Sequence, residues 1–199
     1  HGAFKRNKKH PSQCSTVTIQ MLKELKQISS SIRSSNPYWQ YGFDVYEKPD
    51  GSHGDYHYVH SRGSVMVVPR FDDDTYLVTK QYRYLNQRVS YEFPGGGQLP
   101  NLSVEEQAQR ELQEESGFSG ELTFLGEFNP CNGITDEICS VFLAQNLVPA
   151  PDARPDESEE FERVRISRKE LTHLIHFGEC WDGMTLAAWQ LFLAGEEFL

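Results

Sequence analysis

A chain of 199 residues with 38% hydrophobic and 24% charged residues has the make-up of one soluble globular domain, alone or with an appendage, and enough apolar side chains for a core. A formal net charge of −10 disfavours nucleic acid or an anionic membrane as partner, since both need a basic face, and an acidic protein that handles phosphates needs metal ions or a few placed arginines. No apolar run approaches the roughly 20 residues of a membrane span, and Cys14, Cys131, Cys139 and Cys180, with no C-x-x-C pair, read as reduced thiols of a cytoplasmic protein rather than a disulfide framework.

The basic start HGAFKRNKKH lacks the apolar centre of a signal peptide, and residues 1–15 read as a flexible tail. From Thr16 to Asn36 the apolar residues Val17, Met21, Leu25, Ile28 and Ile32 recur at spacings of three and four, which predicts a helix decaying in SSSIRSSN. The aromatic runs YWQYGFDVYEK and YHYVHSR, joined by PDGSHGD, predict a β-hairpin, so residues 16–60 form an arm ahead of a domain over 61–199. In that domain GSVMVVPR, TYLVTKQYRY, RVSYEF, ELTFLGEF, EICSVFLAQNL and FERVRIS predict strands, and RKELTHLIHF and MTLAAWQLFLAG predict helices. Strands with few helices and no internal repeat predict an α/β (α+β) domain, a mixed sheet with helices on its faces rather than a regular βαβ array. The histidines suggest no metal site: His57 and His60 would face opposite sides of a strand.

The segment PGGGQLPNLSVEEQAQRELQEESGF, Pro94 to Phe118, carries the chemistry. Ser103 with Glu106 forms a capping box, and Gly117 followed by Phe118 forms a left-handed stop, bounding a helix from about Val104 to Ser116. At about 100° per residue, Val104, Ala108 and Leu112 make a core-facing stripe, and Glu111 and Glu115 fall within about 20° of its middle. Glu114 sits at the edge, while Glu105, Glu106, Gln109 and Gln113 point away as a solvated surface would. Carboxylates on an apolar face are costly unless something cationic meets them. Arg110 can serve Glu114 at i, i+4, and a hard divalent cation, Mg²⁺ or Mn²⁺, is the best partner for Glu111 and Glu115. The glycines before the helix let backbone approach a ligand closely and offer carbonyl oxygens.

The run G-x5-L-x7-REL-x-EE-x-G-F from Gly96 to Phe118 resembles the Nudix box of the Nudix hydrolases. Leu102 stands where the family has a glutamate that mostly supports the loop and helix; every other fixed position matches. The likeness runs from about Tyr58 to the C-terminus, and TYLVTKQYRY with YEFPGGG is similar to the ADP-ribose pyrophosphatase branch. It implies a Nudix-type α/β/α sandwich in which Glu111, Glu115 and the Gly95 carbonyl hold Mg²⁺ (or Mn²⁺), with Glu114 as a further candidate. The implied activity is hydrolysis of the pyrophosphate bond of a nucleoside-diphosphosugar, foremost ADP-ribose to AMP and ribose 5-phosphate. By the same likeness Arg83 contacts a substrate phosphate, Glu92 hydrogen-bonds ribose or base, and Gly96 lies against the substrate. Glu157 or Glu159, in the late acidic loop, orients or deprotonates the attacking water. Arg83 as a sheet-surface residue and the late acids as a solvated turn are the plainer alternatives. Trp39 is a candidate to stack a nucleobase, with packing in the core or an interface as its alternative, and the arm implies a homodimer. Two other functions stay open: hydrolysis of another nucleotide sugar or dinucleotide, and a degenerate domain that binds an ADP-ribose-like ligand as a sensor. Leu102 motivates the second, and the intact carboxylates argue against it.

Overall fold

The computed structural model describes residues 23–151 and 160–196. In chain order its elements are β1 (Lys26–Ser35), β2 (Gln40–Glu47), β3 (His53–His60), β4 (Ser64–Pro69), β5 (Thr75–Arg83), β6 (Arg88–Glu92), β7 (Gly95–Gly97), α1 (Val104–Glu111) continued by a π-helical turn (Leu112–Ser116), β8 (Phe118–Phe128), β9 (Cys139–Pro149), β10 (Phe161–Ser167), α2 (Arg168–His176) and α3 (Gly183–Gly195).

The run SVMVVP is apolar at consecutive positions because β4 is buried on both faces. Val65 and Val67 pack with Ala108 and Leu112 of the α1 layer, and with Phe142 and Ala144 of β9. Met66 and Val68 point the other way, into a larger core with Val141, Leu143, Trp189 and Phe192. Helices therefore cover both faces of a four-stranded sheet ordered β7-β4-β9-β8, in which β4–β9 is parallel and the outer pairs are antiparallel. This is the mixed-sheet α/β/α sandwich that the sequence predicts. A second sheet, β10-β5-β6, adds Tyr76, Val78 and Ile166 to the larger core.

The glycine run differs from a plain loop: Gly95–Gly97 is an edge strand paired with Ser64–Met66. Where α2 and α3 meet β5, Arg168 donates to Asp74, to the Tyr76 hydroxyl and to Glu196, while the Tyr76 hydroxyl donates to Asp74 at 2.7 Å. The hydrogen bonds from Arg168 and Tyr76 hold the Asp74 carboxyl down at about 2.

The arm overturns one expectation. Within the segment predicted as a helix, Lys26–Ser35 is a strand at the edge of a separate sheet ordered β1-β2-β3; residues 16–22, like the expected tail at 1–15, lie outside the described residues. A spacing of four is common to both periods, because residues i and i+4 share one side of a strand as they share one face of a helix. Ile28 and Ile32 satisfy either reading. Two register shifts in the β1–β2 ladder, between Gln27 and Ser29 and between Ile32 and Ser34, further blur the alternation that would have marked a strand. The hairpin β2–β3 forms as expected, although its second strand starts at His53, inside the predicted turn string.

Candidate active site

Both halves of the predicted capping box are made: Glu106 N–H donates to Ser103 Oγ at 3.2 Å, and Ser103 N–H donates to Glu106 Oε2 at 2.7 Å. Gly117 stops the helix at φ 78°, as its left-handed role requires. Between them the last turn widens into a π-helical turn. Ala108 and Leu112 are fully buried, but Val104 is 43% exposed, so the apolar stripe begins one turn later than the spacing predicts. Arg163 of β10 braces the helix end: its Nε donates to the Glu115 carbonyl at 2.7 Å and its Nη2 to the Glu114 carbonyl at 2.9 Å. A cation on the carbonyls of a helix C-terminus is favourable. No residue spacing signals this arginine's task.

The two acids assigned to the core-facing side are where that assignment put them. Glu115 is only 6% exposed, and its Oε2 accepts from the Gly95 amide at 3.1 Å. That amide is available because Val67 N–H bonds to the Pro94 carbonyl: alternation along an antiparallel pair then turns the Gly95 amide and carbonyl away from β4. Glu111 Oε1 accepts from Gln107 Nε2 at 2.7 Å, and a Cβ at Gly96 would stand 2.5 Å from that same oxygen. Only glycine lets this carboxylate lie against the strand. Glu114 behaves as its spacing suggests, both oxygens accepting from Arg110 Nε at 3.0 Å.

These groups suit a hard divalent cation. The donors are all oxygens: two carboxylates, plus a Gly95 carbonyl on the same side of the strand as the amide that meets Glu115. Among the described residues no cluster of three or more His, Cys, Asp and Glu side chains is assembled as a metal cage. The set is therefore of the kind that phosphate oxygens complete.

Arg83 and Glu92 come together on one face of the β5–β6 hairpin. The register places Thr79 opposite Glu92 and Gln81 opposite Ser90, so Gln81 and Arg83 share the face of Glu92. Arg83 Nε donates to Glu92 Oε1 at 2.9 Å, its Nη2 donates to Oε2, and Gln81 Nε2 donates to Oε2 at 3.2 Å. Glu92 is 2% exposed, whereas the Arg83 side chain is 48% exposed. The hydrogen-bonded Glu92, with weaker help from the Asp182 and Glu115 charges, raises the Arg83 pKa above its ordinary value. Arg83 thus keeps its charge while lining an open cavity of about 710 Å³ with Lys80, Tyr82, Glu160 and Phe161.

Trp39 lies elsewhere in the chain, lining a separate cavity of about 120 Å³ with Asn36, Tyr38, His60 and Arg62. Glu157 and Glu159 lie outside the described residues. Glu160, which follows them, is exposed and lines the Arg83 cavity.

A family model for the NUDIX domain matches residues 60–180. The chain belongs to the Nudix family. It is a Nudix pyrophosphohydrolase, and Nudix hydrolases generally use a divalent metal. The ADP-ribose pyrophosphatase of Bacillus subtilis (strain 168) is 32% identical over 146 residues, covering 72% of this chain and 79% of the relative. The ADP compounds hydrolase NudE of Escherichia coli (strain K12) is 31% identical over 137 residues, 68% of this chain and 72% of that one. In fold, this Nudix chain superposes on a solved ADP compounds hydrolase with a TM-score of 0.75 at 24% identity, over 90% of this chain and 96% of that chain.

Proposed function

We propose that this Nudix hydrolase cleaves the pyrophosphate bond of a nucleoside-diphosphosugar, ADP-ribose before others, to AMP and ribose 5-phosphate, with Mg²⁺ or Mn²⁺. The observation that carries this reading is the pair Glu111 and Glu115, drawn against Gly96 and Gly95. Two relatives, an ADP-ribose pyrophosphatase and an ADP compounds hydrolase, support the substrate class.

Glu111, Glu115 and the Gly95 carbonyl would hold the cation. When bound it would neutralise the pyrophosphate and acidify water. Arg83, anchored by Glu92, would hold a phosphate oxygen on the cavity side, where its exposed half points. Glu92 is buried with both oxygens held by Arg83 and Gln81, so it would serve the substrate by anchoring Arg83 and would reach ribose or base only by exchanging those bonds. Gly96 lets substrate approach as closely as Glu111 does. Glu157 or Glu159 would take the proton of the attacking water as its oxygen bonds to one phosphorus and the bridging P–O bond breaks. Glu114 would join in by leaving Arg110, a partly exposed i, i+4 pair of small net strength.

The same reading makes the enzyme a cytoplasmic homodimer. Leu25 just before β1, and Ile28 and Ile32 within it, stand about half exposed, and among the described residues the outer side of this edge strand meets no other strand. Trp39 would then stack a base across the interface.

The test is a panel of ADP-ribose, other nucleoside-diphosphosugars, NADH and diadenosine polyphosphates with Mg²⁺ and with Mn²⁺. ADP-ribose should have the highest kcat/KM and release AMP. A higher kcat/KM for a dinucleotide would overturn the substrate assignment while leaving the hydrolase intact.

A further inference from the structure

One buried side chain on the acidic helix has a geometry that packing alone does not explain. Gln107 is 1% exposed, one turn before Glu111. Its Nε2 donates to Glu111 Oε1 at 2.7 Å, and its Oε1 accepts the Leu99 N–H at 3.2 Å. A carboxamide is the one side-chain group of this length that donates to a carboxylate and accepts from a backbone amide at once. A glutamate here would face Glu111 with a second negative charge, and an apolar residue would leave the Leu99 amide and the Glu111 carboxylate without either bond.

The loop that Gln107 reaches is held by amides in other ways too. Gln98 Nε2 donates to the Leu102 carbonyl at 2.6 Å and to the Leu99 carbonyl at 3.1 Å, and Gln98 N–H donates to the Gly63 carbonyl at 2.9 Å. Leu102 itself supplies no side-chain acceptor. Loop 98–102 is thus tied to the body by Gln98 and to the helix by Gln107, and only the second tie ends on a carboxylate of the site.

We infer that Gln107 is a positioning residue: it orients the Glu111 carboxylate toward the cation and makes that orientation depend on the loop where Leu102 replaces an acid. The inference rests on the reading of Glu111 and Glu115 as cation ligands. Partners that orient a ligand typically contribute 10- to 100-fold in metal affinity, whereas loop braces that miss the ligand do not.

The experiment is direct Mn²⁺ binding to chelator-treated protein by titration calorimetry, with melting temperature measured alongside. Gln107→Met, similar in length but without the amide, should weaken Mn²⁺ binding by about tenfold. Gln107→Asn, which keeps an amide but cannot span the gap, should do the same and serves if the methionine variant does not fold. Gln98→Ala should lower the melting temperature and leave Mn²⁺ affinity within about twofold, because it loosens the loop without touching Glu111. Wild-type affinity in both Gln107 variants overturns the inference and leaves the metal reading standing. A wild-type chain that binds no Mn²⁺ overturns both.

Discussion

The strand β4 and the strand β1 sit at opposite extremes of the same molecule. The first is buried on both faces between helices, and the second is exposed along nearly all its length. Burial fixes β4 and its partner β7 in place, so Gly95 and Gly96 meet Glu115 and Glu111 on a foundation that cannot shift without disturbing the core. The arm has no such core. Its sheet is held by its own ladders, by rings such as Tyr41, Phe43 and His57, and by a few ties to the body, among them Tyr56 to the Gly133 carbonyl and His60 to Asp136. The proposed function divides along the same line, with chemistry in the body and recognition in the arm, and substitutions can try to break that division.

The largest effect is expected at Glu115. A glutamine there still accepts the Gly95 N–H but loses the charge, so Glu115→Gln should lower kcat/KM on the order of 10³-fold with little change in melting temperature. Unchanged kcat/KM would remove the body's claim to the chemistry. Gly96→Ala comes next. Its backbone does not lie in the left-handed region, so the strand should tolerate the methyl, but the Glu111 carboxylate must move from a position 2.5 Å away. The shift of roughly 1 Å that restores ordinary contact should cost about 10²-fold in kcat. Loss of the fold without a kcat effect in the surviving protein would show that Gly96 serves packing instead.

The same contrast explains what could be read in the sequence. Glu111 and Glu115 were legible because helical periodicity put charge on an apolar face, a conflict that the proposed cation site would resolve. The strand β4 and the first half of β9 were legible because burial on two faces forces unbroken apolar runs. Gln107 was not, since a glutamine one turn from two glutamates looks like more solvated surface until burial is known. Arg83 and Glu92 were picked out singly, but their pairing depends on the hairpin register, which no residue spacing states. The β1 helix reading failed for a different reason: its apolar residues face no core, so they carried no information about period.

Within the body, the Arg168 network gives a stability effect without a catalytic one. Arg168→Met should leave Asp74 and Glu196 without their shared cation and strip the guanidinium from the faces of Tyr76, Trp189 and Phe192. The groups are partly exposed, so a loss of about 2 kcal/mol in urea unfolding is expected, with KM for substrate unchanged. The pH dependence follows from the sign. Asp74 is depressed from 3.8 to about 2, so its contribution is complete above about pH 4 and fades as pH falls toward 2. The difference in stability between wild type and Arg168→Met should therefore shrink between pH 4 and pH 2. A constant gap would show that the cation's packing on the rings, and not its charge, accounts for the effect.

The smallest energetic effect is expected in the arm, and it discriminates most sharply. Ile28 and Ile32 are 46% and 48% exposed, so the double substitution Ile28→Lys with Ile32→Lys removes almost nothing from the fold of one chain. Surface changes of this kind stay within about 0.5 kcal/mol. If β1 is the edge that meets a second copy, two lysines on it repel the copy as charged edge strands do, and sedimentation should show dimer becoming monomer with the melting curve of the body nearly unmoved. Should Trp39 also complete the partner's site, KM for ADP-ribose would rise on dissociation while Mn²⁺ binding at Glu111 and Glu115 stayed as it was. A wild-type chain that sediments as a monomer would end both expectations, and it would leave the arm as a sheet with no task beyond its own ladder.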